Sequence, residues 1–182
     1  DHRFFGPDAN RDGIADRIVF QYDFADKDSD ASDRSGHGTH VTSILGSQDS
    51  QYPGLAPGVN LIHLKVFEDS GYGDFSYVEA ALQWVVANVE RFNIASVNLS
   101  LGDKQNHDQF GQKHGVGDEL AALAAKDVVV VASAGNGYFT FGSQPGVSYP
   151  AADPNTIGVG AVWDANVGRF DWHSNAIDYS TG

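Results

Sequence analysis

Short runs rich in Val, Ile and aromatic residues alternate along this chain with longer stretches whose apolar positions recur every three or four residues. The first kind reads as β-strand and the second as one face of a helix. On that pattern residues 17–24 (RIVFQYDF), 60–67 (NLIHLKVF), 94–102 (IASVNLSLG), 128–135 (VVVVASAG) and 156–162 (TIGVGAV) are predicted strands. Residues 37–46 (HGTHVTSILG), 76–92 and 117–127 (GDELAALAAKD) are predicted helices. The 76–92 segment is the clearest, with Ser76 as a start signal and Val78, Ala81, Leu82, Val85, Val86 and Val89 on one stripe. Strands apolar on both faces that alternate with helices imply a parallel sheet covered on both sides, built from right-handed βαβ units.

In such a sheet, functional groups gather outside the carboxyl ends of the strands. That directs attention to the loop after Phe67 (EDSGYGDFS), the end of NLSLG and the end of VVVVASAGNG. Length adds little beyond one domain's worth of chain, 182 residues. Charge adds more: 24 acidic against 11 basic residues give a net charge of -13, which argues against nucleic acid and anionic membranes and for cations or neutral peptides. No apolar run reaches the roughly 18 residues of a membrane helix, so a soluble protein is expected. There is no cysteine, hence no disulfide chemistry. There is also no methionine, and DHRFFG lacks a signal-peptide pattern, so a processed or trimmed segment is expected, with part of the machinery in its flanks.

Three stretches carry candidate chemistry. Asp8, Asn10, Asp12 and Asp16 place oxygen side chains at positions 1, 3, 5 and 9 of a loop, with Gly13 at position 6 and the Ile14 carbonyl at position 7. That alternation wraps a chain around Ca2+, although Val19 stands where an EF-hand has its closing Glu, so this is not a full EF-hand. The run 23–33 (DFADKDSDASD) reads as a solvated acidic loop. His37 and His40, three residues apart, fit a zinc pair completed by His63, His107 or His114, a packed core pair, or one working base with a bystander. SAGNG, directly after a strand, offers Asn136 between glycines as an oxyanion donor or as an ordinary Asn-Gly turn.

Taken together, GHGTHVTSILG, NLSLG, VVVVASAGNG and SYPAADPNTIGVGAV resemble, in order and spacing, blocks of the subtilisin-like serine peptidases. LKVFEDSGYGDFSYVEAALQWVV resembles that family's specificity loop and following helix. The resemblance implies a subtilisin-like three-layer α/β fold, incomplete at both ends, with residues 1–182 as the central part of one peptidase domain. It implies a Ser-His-Asp endopeptidase, secreted and stabilised by Ca2+, in which His37 is the general base, His40 its packing neighbour and Asn136 the oxyanion donor. Gly71, Tyr72 and Gly73 on one side and Ser100, Leu101 and Gly102 on the other would edge an extended peptide or protein substrate, and Ala134 and Gly135 would line the first specificity pocket. It also implies a cis Tyr149–Pro150 bond, and a second cation near Ala151, Asp153 and Asp178.

Two family blocks have no counterpart. No Asp-Ser/Thr-Gly turn precedes His37, and IDYSTG resembles only the approach to the nucleophile block. Asp23, followed by Phe24 and Ala25, and Ser180, with no helix after it, are poor substitutes. The segment alone is therefore expected to be inactive, with a propeptide or the rest of the peptidase domain as its partner. The alternative is a pseudopeptidase that keeps a peptide groove without the chemistry.

Overall fold

The computed structural model describes residues 3–162, 169–171 and 176–178, which fall into two compact units: Asp1–Ala87 with His114–Val116, and Asn88–Lys113 with Gly117–Gly182. In the first unit, β1 (Ile18–Asp23) and β2 (Leu61–Lys65) run parallel, with α1 (His37–Gly46) on the crossover between them. The 18-residue α2 (Phe75–Phe92) follows β2. In the second unit, β3 (Ser96–Leu99), β4 (Val129–Ser133) and β5 (Ile157–Val159) form a parallel ladder in that order, with α3 (Gly117–Ala124) between β3 and β4. The expected parallel α/β architecture is therefore present. A short antiparallel pair, β6 (Arg169–Asp171) and β7 (Ala176–Asp178), has no counterpart in the sequence reading. Three-residue strands are too short to display a period.

Burial follows the predicted periodicity along α2, whereas Ile44 and Leu45 of α1 are exposed. Along α2, Val78, Ala81, Leu82, Val85 and Val89 are buried, and Trp84 stacks on Phe20 of β1 at 4.2 Å. The helix starts one residue before the predicted Ser76 because Asp74 caps it, accepting the Ser76 N–H at 2.8 Å and its hydroxyl at 2.6 Å. α3 stops at Ala124, ahead of the predicted 127, since Asp127 takes a left-handed φ of 58° and Val128 N–H turns back to the Leu123 carbonyl. In β4, Val130 and Ala132 are buried while Val129 is exposed, and Ile157 and Val159 of the edge strand β5 are exposed too.

The register of the first ladder places Asp23 directly opposite Lys65 at the carboxyl ends of both strands. Their side chains meet in an ion pair in which Asp23 is 1% exposed, and Lys65 also reaches Asp26 at 3.2 Å and Asp69 at 3.0 Å. Burial alone disfavours the ammonium, but the hydrogen bonds it donates to Asp23, Asp69 and Asp26 outweigh it and hold the lysine above its ordinary pKa. Asp23 uses its other oxygen to accept the Ala25 and Asp26 N–H groups at 2.9 and 3.0 Å, so both oxygens have structural work. Removing one member of a buried pair strands the other charge, and Lys65→Met is expected to cost about 3 kcal/mol in urea unfolding. Adding Asp23→Asn, which keeps the turn acceptor without the charge, should recover most of that loss.

Candidate active site

His37 is the first residue of α1 and is exposed. Gly36 ahead of it adopts φ 82°, a left-handed conformation glycine takes without strain, and supplies no side-chain cap. The capping comes from Asp33, whose Oδ1 accepts the N–H groups of Ser35 and Gly36 and whose Oδ2 accepts that of Thr39 at 2.7 Å. At the other end of the helix, Arg17 is buried and donates to the carbonyls of Gly46 and Val59. An anion at the N-terminus and a cation at the C-terminus both complement the helix dipole. Beneath α1, His63 approaches the Thr42 hydroxyl at 3.4 Å, and burial pushes its imidazole below the ordinary pKa, opposed in part by the Asp33 carboxylate.

His40 departs from expectation. It is exposed on α1, so it is not a packed neighbour of His37, because the helix turns Thr42 and Gly46 inward instead. The zinc reading finds no support either. Among the described residues, the only group of three ligand-type side chains converging within 4.8 Å is Asp23, Asp26 and Asp69, which contains no histidine and surrounds the Lys65 ammonium. His107 instead contacts Asp103, and His114 stacks on Phe75.

The loop after β2 is a tight turn. Glu68 N–H donates to the Tyr72 carbonyl and Gly71 N–H to the Glu68 carbonyl, both at 2.8 Å, while Phe67 and Gly73 bridge antiparallel. Gly71 has φ 85°, and a Cβ on Gly73 would collide with the Phe67 ring, so both glycines are required by the turn. Tyr72, between them, is 57% exposed.

In the second unit, Ser100, Leu101 and Gly102 leave the carboxyl end of β3, and Ala134, Gly135 and Asn136 leave that of the adjacent β4. The two exits are tied together. Ser133 Oγ donates to the Leu101 carbonyl at 3.1 Å, and Ser148 packs against the Cα atoms of both Gly102 and Gly135 while its N–H donates to the Ala134 carbonyl. Asn136 is exposed. Asp103 accepts the Tyr149 N–H at 3.1 Å and contacts His107 Nε2 at 2.7 Å, fastening this loop to the segment that holds the cis Tyr149–Pro150 bond. Sequence reasoning passed over Asp33, Asp103 and Ser148. The i, i+4 spacing of Asp103 and His107 was the available signal, whereas Asp33 was masked by the acidic run around it.

In the Asp8–Asp16 loop, Asp8 accepts the N–H groups of Asp12 and Gly13, Asn10 accepts that of Asp12, and Asp12 that of Ile14. Asp16 closes the loop on the Ala9 N–H at 3.2 Å, and Gly13 turns it with φ 90°. The donors are all oxygens arranged around one turn, which fits a hard cation in chemistry. At the suggested second site, Asp153 is buried and its oxygens accept from Tyr149 and Asn155. The side chain of Asp178 and all of Ser180 lie outside the described residues.

Parallel strands joined through helices define an α/β protein. Residues 6–181 match the profile of the subtilase family, and the chain belongs to that family. It is 32% identical over 160 residues to subtilisin DY of Bacillus licheniformis, covering 87% of this chain and 54% of that protein. Among solved structures it resembles sphericase, with a TM-score of 0.63 and 27% identity over 91% of this chain and 53% of that one. It also resembles a cold adapted subtilisin-like serine proteinase, with a TM-score of 0.53 and 36% identity over 66% of this chain and 40% of that one. The chain thus spans about half the length of these relatives.

Proposed function

We propose that this chain is the central part of the catalytic domain of a secreted serine endopeptidase. The observation that carries the reading is membership of the subtilase family over residues 6–181, with His37 exposed at the start of α1 and Asn136 exposed just beyond the carboxyl end of β4. His37 is the general base: it takes the proton of the serine hydroxyl as that oxygen attacks the scissile carbonyl, and returns it to the departing amine. Asn136 donates its side-chain amide to the oxyanion that develops on the carbonyl. The serine and the aspartate that orients His37 come from parts of the protein outside this chain. Asp23 is unsuited to the aspartate's role, since its carboxylate is committed to Lys65 and to its own turn.

In the second unit, an extended peptide or protein substrate adds as a strand along Ser100, Leu101 and Gly102, with Ala134 and Gly135 beside its first side chain; in the first unit, the family resemblance assigns substrate contact to Gly71, Tyr72 and Gly73. Pairing through the backbone reads shape more than side chains, so broad specificity follows. A propeptide that occupies the same groove is the natural partner. Secretion is consistent with similarity to the minor extracellular protease Epr of Bacillus subtilis, 30% identical over 159 residues. Among the described residues, no helix is long and apolar enough to cross a membrane. Ca2+ would be held by Asp8, Asn10, Asp12, Asp16 and the Ile14 carbonyl, where it would neutralise three carboxylates and stiffen the loop that enters β1.

Fluorophosphonate labelling of the full-length protein is expected to modify one serine, and prior His37→Ala substitution to abolish the labelling. An intact, unlabelled full-length protein that still binds peptide would establish the pseudopeptidase alternative instead. For the metal, calorimetric titration of chelator-treated protein with Ca2+ should give binding that Asp12→Ala abolishes; unchanged affinity in that variant would place the ion elsewhere.

A further inference from the structure

Within the proposed peptidase, and resting on that reading, we infer that Asp33 is a positioning residue for the base His37, acting through the backbone on both sides of it. The helix that carries His37 begins badly on its own terms. Gly36 and Gly38 flank the histidine, and glycine leaves the chain the widest choice of conformations, so local sequence does little to fix where His37 stands. Gly36, at the capping position, has no side chain with which to satisfy the first N–H groups of the helix.

Asp33 compensates from outside the helix. Its Oδ1 accepts the Ser35 N–H at 3.0 Å, the Ser35 hydroxyl at 3.2 Å and the Gly36 N–H at 2.8 Å. Its Oδ2 accepts the Thr39 N–H at 2.7 Å. The His37 N–H donates in turn to Ser35 Oγ at 3.2 Å, the hydroxyl that Asp33 already holds. One carboxylate therefore binds the two residues before His37 and the second residue after it, closing a ring of hydrogen bonds around the Cα from which the imidazole projects. Partial burial raises the Asp33 pKa, but the backbone and hydroxyl of Thr39 and the N–H groups of Gly36 and Ser35 outweigh it and hold the group at about 2. The clamp is thus fully charged throughout the pH range in which an imidazole can act as a base.

Nothing in this arrangement requires Asp33 to touch substrate. Its effect is on where the imidazole stands, and a displacement of about 1 Å at a catalytic group can lower a rate about 10²-fold. Loss of the clamp should therefore lower kcat and leave KM nearly unchanged.

The test uses the full-length protein in a double-mutant cycle with a peptide anilide. Asp33→Ala is expected to lower kcat about 10²-fold with KM nearly unchanged. Asp33→Asn, which retains one acceptor oxygen, should fall between it and the unsubstituted protein. In a His37→Ala background, Asp33→Ala should lower the residual rate no further, because the group it positions is gone. An unchanged kcat, or an equal loss in both backgrounds, would overturn the inference and leave Asp33 a purely structural cap.

A second readout needs no turnover and separates this inference from the assignment of activity. In histidine-labelled full-length protein, the His37 ring resonances should shift in Asp33→Ala and Asp33→Asn, while those of His107, held by Asp103, stay in place. His37 resonances unmoved by either substitution would overturn the inference even if the protein proved to be inactive.

Discussion

The pairing of Asp23 with Lys65 is the constraint on which the first unit depends. The two residues face each other across the parallel ladder at its carboxyl end, where one chain departs toward α1 and the other toward the turn at Gly71. A slip of one residue between β1 and β2 would carry Asp23 away from the lysine and send the buried apolar residues to the wrong face. Because Lys65 also gathers Asp26 and Asp69, one residue early in each departing loop is drawn to one cation. Asp69 further engages Arg34 at 3.3 Å, which in turn pairs with Asp30, so the acidic loop is tied at intervals along its length. Those outer pairs are exposed and contribute little stability individually; their role is to limit the loop's paths.

The second unit solves the same problem without a lysine. There, one carboxylate and one small side chain hold two strand exits together. Asp103 fastens the segment after β3 to Tyr149, and the buried Ser148 fills the space that side chains on Gly102 or Gly135 would need. Tyr149 is itself fully buried and donates its hydroxyl to the buried Asp153 at 3.1 Å. A site whose edges are backbone rather than side chain demands this kind of support, because glycines at the edge give close approach and no rigidity of their own.

Much of this architecture was legible before any coordinates. The alternation of apolar runs and helical stripes placed β1 to β5 and α1 to α3 because the period survives in the sequence, even where the apolar residues are exposed, as at Ile44 of α1 and Ile157 and Val159 of β5. Helix ends were less legible. Asp74 rather than Ser76 caps α2, a choice between adjacent capping residues that depends on backbone angles. The candidate chemistry at His37 and Asn136 was legible because short blocks carry it, whereas its supports were not. Asp33, four residues ahead of the predicted helix 37–46 and preceded by other acids, looks like one more solvated charge. Only the folded loop brings its two oxygens to opposite sides of His37. His40 shows the converse: the family resemblance implies a packing neighbour of His37, and the helix turns it to solvent.

Asn136, beyond the carboxyl end of β4, is proposed to act as an oxyanion donor and not merely as a turn residue. The most direct measurement is steady-state hydrolysis of a peptide substrate by the full-length protein with Asn136→Leu, which removes the amide. A kcat lower by about 10²–10³-fold with KM little changed is expected, the size of effect that removal of one oxyanion donor produces. An unchanged kcat would contradict it.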